Sequence, residues 1–102
     1  MNQSGIYMIT NPNGKIYIGM STNIEARWNN YKQLSNFKSQ KLLHRSFKKY
    51  GHESHKFEIL EVCSELELNK KEIFYIKKYN SNVLNGSKTG LNLHRTIKRY
   101  LF

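Results

Sequence analysis

Glu72 stands where an apolar residue belongs. Between Leu68 and Tyr79 the apolar and aromatic side chains form a helical stripe at Leu68, Tyr75, Ile76 and Tyr79. Glu72 lies four residues after the first of these, three before Tyr75 and four before Ile76. A carboxylate in that position is costly unless it is paired or holds a metal ion. Arg27 interrupts a second stripe, Ile24, Tyr31 and Leu34, at spacings of three, four and three. Its guanidinium suits a bidentate phosphate contact, while its stem equally suits covering the edge of a core. Tyr7 and Tyr17 form a third set, two phenols on neighbouring strand segments, which is ordinarily a packing arrangement. Taken singly, each feature reads as structure. Their coincidence, a carboxylate, an arginine and two phenols, all semi-buried in one basic domain, points to chemistry.

The elements that must position them are short. Ser4 to Thr10 alternates aromatic and β-branched residues at strand spacing. Asn11-Pro12-Asn13-Gly14 then reads as a type I turn with Gly14 as the left-handed residue, and Lys15 to Gly19 returns as a second strand. Such a turn pairs Asn11 with Lys15, sets Ile9 opposite Tyr17 and sets Tyr7 opposite Gly19. Tyr7 and Tyr17 are then diagonal neighbours on one face, and Ile6, Met8, Ile16 and Ile18 point the other way into the core. Thr22-x-x-Glu25 reads as a capping box opening a helix to about Leu34. Residues 39–50 read as a second helix with Leu43, Phe47 and Tyr50 on one side and Gly51 as its stop. His55 to Cys63 reads as a third strand, and Ser64-x-x-Glu67 as the cap of a third helix to about Tyr79. Asn80 to Gly90 is loop-like, and Gly90-Leu91-Asn92-Leu93 reads as a last extended piece. The order β-β-α-α-β-α predicts a small α/β domain, a short three-stranded, mainly antiparallel sheet with flanking helices.

At 102 residues the chain is one domain, 1–102, with 93–102 as a basic tail or the start of a linker. Lys and Arg number 17 against 7 acids, a net charge of +10, so the natural partner is a polyanion, nucleic acid before membrane. All seven acids are Glu. The absence of Asp excludes nuclease and polymerase schemes built on aspartate clusters, and multi-carboxylate calcium loops as well. Residues 1–52 carry eight Lys/Arg against Glu25 alone, whereas 53–72 hold the other six Glu. The candidate nucleic-acid contacts are therefore Lys15, Lys32, Lys38, Lys41, His44, Arg45, Lys48 and Lys49. A single cysteine, Cys63, rules out an internal disulfide and a Cys-based zinc finger, and suggests a small buried thiol in a reducing compartment. His52 and His55 read as loop residues, since no second pair completes a zinc site. Met1 to Ser4 has no signal-peptide character and no apolar run approaches about 20 residues, so an intracellular domain without a membrane span is expected.

Gly5-Ile6-Tyr7 and Tyr17-Ile18-Gly19, nine residues apart with Ser21 just beyond, resemble the two halves of the GIY-YIG nuclease signature. The resemblance continues through Arg27, through Glu72 in Glu-x-x-Tyr-Ile-Lys and through Asn92 in Gly-Leu-Asn, so it covers the chain from Gly5 to about Leu93. That family includes the catalytic domains of phage and intron homing endonucleases, some restriction enzymes and repair or structure-specific incision nucleases. Four residues after the arginine many members carry histidine, and others, like this chain with Tyr31, carry tyrosine. Leu43 to Gly51 and Glu72 to Lys77 look most like the phage homing branch. The chain ends about ten residues after Asn92, which suggests an excised catalytic domain or a minimal enzyme without an appended DNA-targeting region.

The resemblance implies a Mg²⁺-dependent DNA endonuclease acting on double-stranded DNA, a monomer as this domain alone. One divalent ion, Mg²⁺ or Mn²⁺, would be held by Glu72. Arg27 would hold a non-bridging phosphate oxygen with Tyr31 in support, and Asn92 would anchor the sheet end beside Glu72. Tyr7 would accept a proton from the attacking water, with Tyr17 orienting that water or sharing the role; the sequence leaves open which tyrosine acts. A phenol near its ordinary pKa of about 10 is a poor base at neutral pH, so nearby positive charge must favour its phenolate. Repair or restriction roles within the family, and a non-catalytic nucleic-acid-binding module outside it, are the alternatives.

Overall fold

One asparagine sets the register of the first two strands. The side-chain oxygen of Asn11 accepts hydrogen bonds from the backbone N–H groups of Asn13 (2.9 Å) and Lys15 (2.8 Å). The Asn11 N–H reaches the Lys15 carbonyl at 2.9 Å, the Gly14 N–H reaches the Asn11 carbonyl at 3.0 Å, and Gly14 takes φ +83°. This is the expected bulged turn, and it fixes Ile9 opposite Tyr17 and Tyr7 opposite Gly19. The computed structural model describes residues 3–33 and 41–79. Within them the chain forms β1 (Gly5–Thr10), β2 (Ile16–Ser21), α1 (Ile24–Lys32) and α2 (Lys41–Tyr50). A 3₁₀ turn (His52–Ser54), β3 (Lys56–Val62), a second 3₁₀ turn (Glu65–Glu67) and α3 (Leu68–Tyr79) follow. The sheet is antiparallel throughout, in the order β2-β1-β3. The predicted α/β class, element order and three-stranded sheet are those observed. Leu34, residues 39 and 40, the 80–90 loop, the 90–93 extended piece and the 93–102 tail lie outside the described residues.

The expectation of a single core on one face of the hairpin is corrected. Ile6 and Ile18 pack with Leu68 and Ile76 of α3, with Met8, Ile16 and Met20 at the margin. The opposite face is equally covered: Tyr7, Ile9 and Tyr17 pack with Ile24 and Tyr31 of α1 and with Leu43 and Phe47 of α2. The sheet is thus the middle layer of three, and the phenols project into a second core. The physical reason is that both sets of alternating side chains on β1 are large and apolar enough to recruit a helix.

Two predicted caps differ in detail. Asn23, not Thr22, caps α1: its side chain accepts from the Ala26 N–H at 3.1 Å, while its own N–H donates to the Ser21 hydroxyl at 2.9 Å. Asparagine is the stronger cap, and Ser21 takes the N–H that a capping-box glutamate would have bound. At the other site Ser64 opens the 3₁₀ turn through its carbonyl, which accepts from the Glu67 N–H at 3.0 Å, and α3 proper begins only at Leu68. Cys63 is half-buried at the margin of the α3-side core instead of inside it, and burial raises its thiol pKa. Among the described residues no helix is long and apolar enough to cross a membrane.

α3 is rotationally fixed by Glu61 of β3. Its carboxylate accepts from the Tyr75 hydroxyl at 2.8 Å and pairs with the Lys71 ammonium at 2.8 Å. Lys71, Tyr75 and Tyr79 lie along one side of the helix, so the adjacent row, Leu68, Glu72 and Ile76, is turned onto the sheet. All three of that row are buried, and Glu72 is 3% exposed.

Candidate active site

Two glycines allow the strands to carry the phenols. A Cβ at Gly5 would overlap the Glu61 carbonyl and stand 3.1 Å from Val62 Cα, so the chain admits only glycine where β3 bulges. The bulge skips Leu60, since Ile6 pairs with Glu61 and Tyr7 with Ile59. A Cβ at Gly19 would lie 2.5 Å from the Tyr7 hydroxyl oxygen and 2.8 Å from the Tyr17 ring. Gly19 is therefore the bare floor beneath both phenols. Gly19→Ala is expected to force the rings apart at an overpacking cost of about 1–3 kcal/mol, a drop of roughly 4–8 °C in Tm per kcal/mol for a domain of this size. A variant that melts like the wild type would show that the rings do not rest on that strand position.

Above that floor the aromatic rings converge. Tyr7 stands with its ring centroid 6.3 Å from Tyr17, 6.1 Å from Tyr31 and 6.1 Å from Trp28. The Tyr7 and Tyr31 hydroxyls are hydrogen-bonded to each other. Tyr7 and Tyr31 are fully buried and Tyr17 is 5% exposed. Burial is the main force holding the Tyr7 phenol well above its ordinary pKa; Tyr31 and Tyr17 add to it, and Arg27 opposes it. Burial likewise holds Tyr17 well above its ordinary value, followed by Tyr31 and the charge of Glu72, again with Arg27 opposing. Glu72 thus makes itself felt at Tyr17, and Arg27 at both phenols.

The structure therefore brings together Tyr7, Tyr17, Tyr31, Arg27 and Glu72, five of the six residues predicted to do chemistry. Asn92 lies outside the described residues. Arg27 is half-buried, one turn before Tyr31 on α1, as the interrupted stripe implied. Among the described residues no three His, Cys, Asp or Glu side chains gather. Glu72 is the buried carboxylate near the phenols and could serve as a divalent cation's protein ligand. One hard carboxylate oxygen donor, with phosphate oxygens and water completing the shell, suits Mg²⁺. Of the basic residues, Lys15, Lys32, Arg45, Lys48 and Lys49 are exposed and His44 is half-buried. Lys38 and the side chain of Lys41 lie outside the described residues. The hairpin turn meets the end of α2 where the Asn13 amide donates to the Tyr50 hydroxyl at 2.7 Å, which brings Lys15 and Lys49 close enough to act on that phenol.

Sequence reasoning missed Trp28, whose ring lies edge-on to Tyr7 and to Phe57 (5.2 Å). The signal was there: it falls four after Ile24 and three before Tyr31. His55 lies in the bend before β3, a loop position as expected, with the strand starting one residue later than read, at Lys56, but the side chain is buried. It is 7% exposed, with its Nε2 2.7 Å from the Ser46 hydroxyl and its Nδ1 2.8 Å from the Gly51 carbonyl oxygen.

A buried carboxylate, a guanidinium and three linked phenols on a strongly basic domain are the groups that phosphodiester cleavage could use. The family of GIY-YIG catalytic domains matches residues 3–85, and the chain belongs to that family. Its substrate is accordingly nucleic acid, and enzymes of this kind generally use a divalent metal ion. No curated protein and no solved structure matches it.

Proposed function

We propose that the domain is a Mg²⁺-dependent endonuclease that hydrolyses phosphodiester bonds of double-stranded DNA, of the homing type. The observation that carries this reading is the burial of Glu72, at 3% exposure, beside phenols and an arginine in a chain of net charge +10. A module that only binds nucleic acid gains nothing from a buried carboxylate whose charge repels phosphate. The Leu43–Gly51 segment, which forms most of α2, supports the homing branch.

Arg27 binds a non-bridging oxygen of the scissile phosphate and stabilises the charge that grows on it. Tyr17, beside Glu72, orients the attacking water and takes up its proton, while Tyr31 and Tyr7 form the hydrogen-bonded phenols behind it. Bound at Glu72, a divalent cation would neutralise the phosphate and the leaving oxygen and cancel the charge of Glu72, which adds to the burial that holds the Tyr17 phenol in its neutral form. Lys15, Arg45, Lys48 and Lys49, on the hairpin turn and outer face of α2, contact the flanking backbone.

Incubation of the domain with supercoiled plasmid, with and without Mg²⁺, tests the reading. Nicked or linear product is expected only with the metal, and shifted but uncut plasmid would support a binding module instead. Arg27→Ala should lower kcat by about 10²–10³, the size of a single charge-stabilising group, with little change in DNA affinity. A loss confined to affinity would make Arg27 a backbone contact.

A further inference from the structure

Three buried polar side chains, none of them in the site above, run as one chain from the hairpin turn to β3. Asn11, Ser46 and His55 are 6%, 6% and 7% exposed. The Asn11 amide Nδ2 donates to the Ser46 hydroxyl at 3.3 Å, the Ser46 hydroxyl meets His55 Nε2 at 2.7 Å, and His55 Nδ1 meets the Gly51 carbonyl oxygen at 2.8 Å. Every proton in it is determined. The Asn11 Oδ1 is occupied by two backbone N–H groups, so Nδ2 faces Ser46. A carbonyl only accepts, so Nδ1 of His55 carries its hydrogen and, in the neutral ring, Nε2 is bare. Ser46 therefore donates to His55 and accepts from Asn11.

That direction holds only while His55 is neutral. A proton on Nε2 would turn it into a donor facing Ser46, whose own hydrogen would lose its acceptor inside a dry core. The chain is also the seam between α2 and the catalytic hairpin: Asn11 closes the turn between the strands bearing Tyr7 and Tyr17, and Ser46 sits on α2. Phe47 beside it lies 4.4 Å from the His55 ring and 5.8 Å from Tyr31, centroid to centroid. We propose that His55 is a positioning residue which, through Ser46 and Asn11, keeps α2 docked on the catalytic hairpin only in its neutral form, so that acid releases the helix. The consequence for cleavage rests on the nuclease reading, whereas the docking does not.

Of the groups near His55, His52 is also titratable. α2 presents Ser46 and Phe47, the hairpin presents Asn11, and the 3₁₀ turn contributes His52, whose charge opposes protonation of His55. Burial lowers the His55 pKa, with the Gly51 carbonyl opposing that shift. The docked state therefore binds fewer protons than the released state. Docking is complete above the ordinary histidine pKa, about 6.5, and weakens as pH falls from there towards the lowered value.

Hydrogen-exchange protection of the α2 amides, corrected for intrinsic exchange, and the plasmid nicking rate should both be followed from pH 8 to pH 5. The His55 ring resonances report its protonation in the same samples. In the wild type, α2 protection is expected to fall by up to tenfold per pH unit below about pH 6.5, the slope for uptake of one proton, with the nicking rate falling alongside. His55→Phe combined with Ser46→Ala keeps the ring beside Phe47 and removes the titrating group; its α2 protection should stay flat across that range. Equal pH profiles in the two proteins would overturn the proposal. So would His55 protonation in the wild type with α2 protection unchanged, a comparison that decides the matter even if the double variant fails to fold.

Discussion

Glu72→Gln is expected to leave a folded domain that no longer cleaves DNA. Glutamine matches glutamate in shape, so Leu68 and Ile76 on either side keep their packing against Ile18 and Ile6. The melting temperature should therefore move by no more than about 5 °C, roughly 1 kcal/mol for a domain of this size. Activity should be lost because, among the described residues, Glu72 is the one buried carboxylate. The chain contains no Asp, and no three potential ligands gather among the described residues. A readout independent of cleavage checks the geometry. The charge of Glu72 raises the pKa of the Tyr17 phenol, so its removal should shift Tyr17 ionisation to lower pH in a tyrosine-labelled NMR titration. Retention of more than a few per cent of wild-type nicking would remove Glu72 from the metal site.

The residues that make this site were readable where they broke a period. Glu72 and Arg27 interrupted apolar stripes, and burial of 3% for the one and half-burial for the other follow from the helical faces those stripes define. The strand pairing was equally readable, because a turn with glycine at its fourth position permits only one register, and that register alone makes Tyr7 and Tyr17 diagonal neighbours. What resisted reading was partnership across the fold. Tyr31 bonds to Tyr7 from 24 residues away, and Asn11 meets Ser46 from 35 away. No local spacing encodes either contact. The burial of His55 was hidden for the same reason: in a loop among polar turn residues it looks solvated, and its partner Ser46 comes from α2. The second core escaped notice because alternation was taken to mark one face as buried, whereas phenols and isoleucines on opposite faces each recruited a helix.

Removing one hydroxyl from the phenol cluster separates its members, and Tyr17→Phe should be the damaging change. The resemblance favours Tyr7 as the proton acceptor, with Tyr17 sharing or supporting the role. Burial supports the reverse division. A group that takes a proton from water must touch that water. Both hydroxyls bond to Tyr31, so the difference lies in exposure and charge: Tyr7 is fully buried, whereas Tyr17 keeps 5% exposure and feels the charge of Glu72. Phenylalanine preserves each ring over Gly19, so either variant should lose only about 1 kcal/mol, the worth of one net hydrogen bond. Stability therefore cannot explain a large change in rate. Loss of a proton-transfer group costs roughly 10²–10⁴ in rate, and that loss is expected in single-turnover cleavage by Tyr17→Phe at saturating Mg²⁺. Tyr7→Phe should fall well short of it, since the Tyr7 side chain is fully buried, out of contact with solvent. The sign of the pH effect follows from the raised phenol pKa. Wild-type cleavage should climb with pH through the neutral range as the phenolate becomes accessible, while Tyr17→Phe loses that slope. Should Tyr17→Phe cut at the wild-type rate while Tyr7→Phe is crippled, the acceptor is Tyr7, and the site must open on binding DNA to let water reach it.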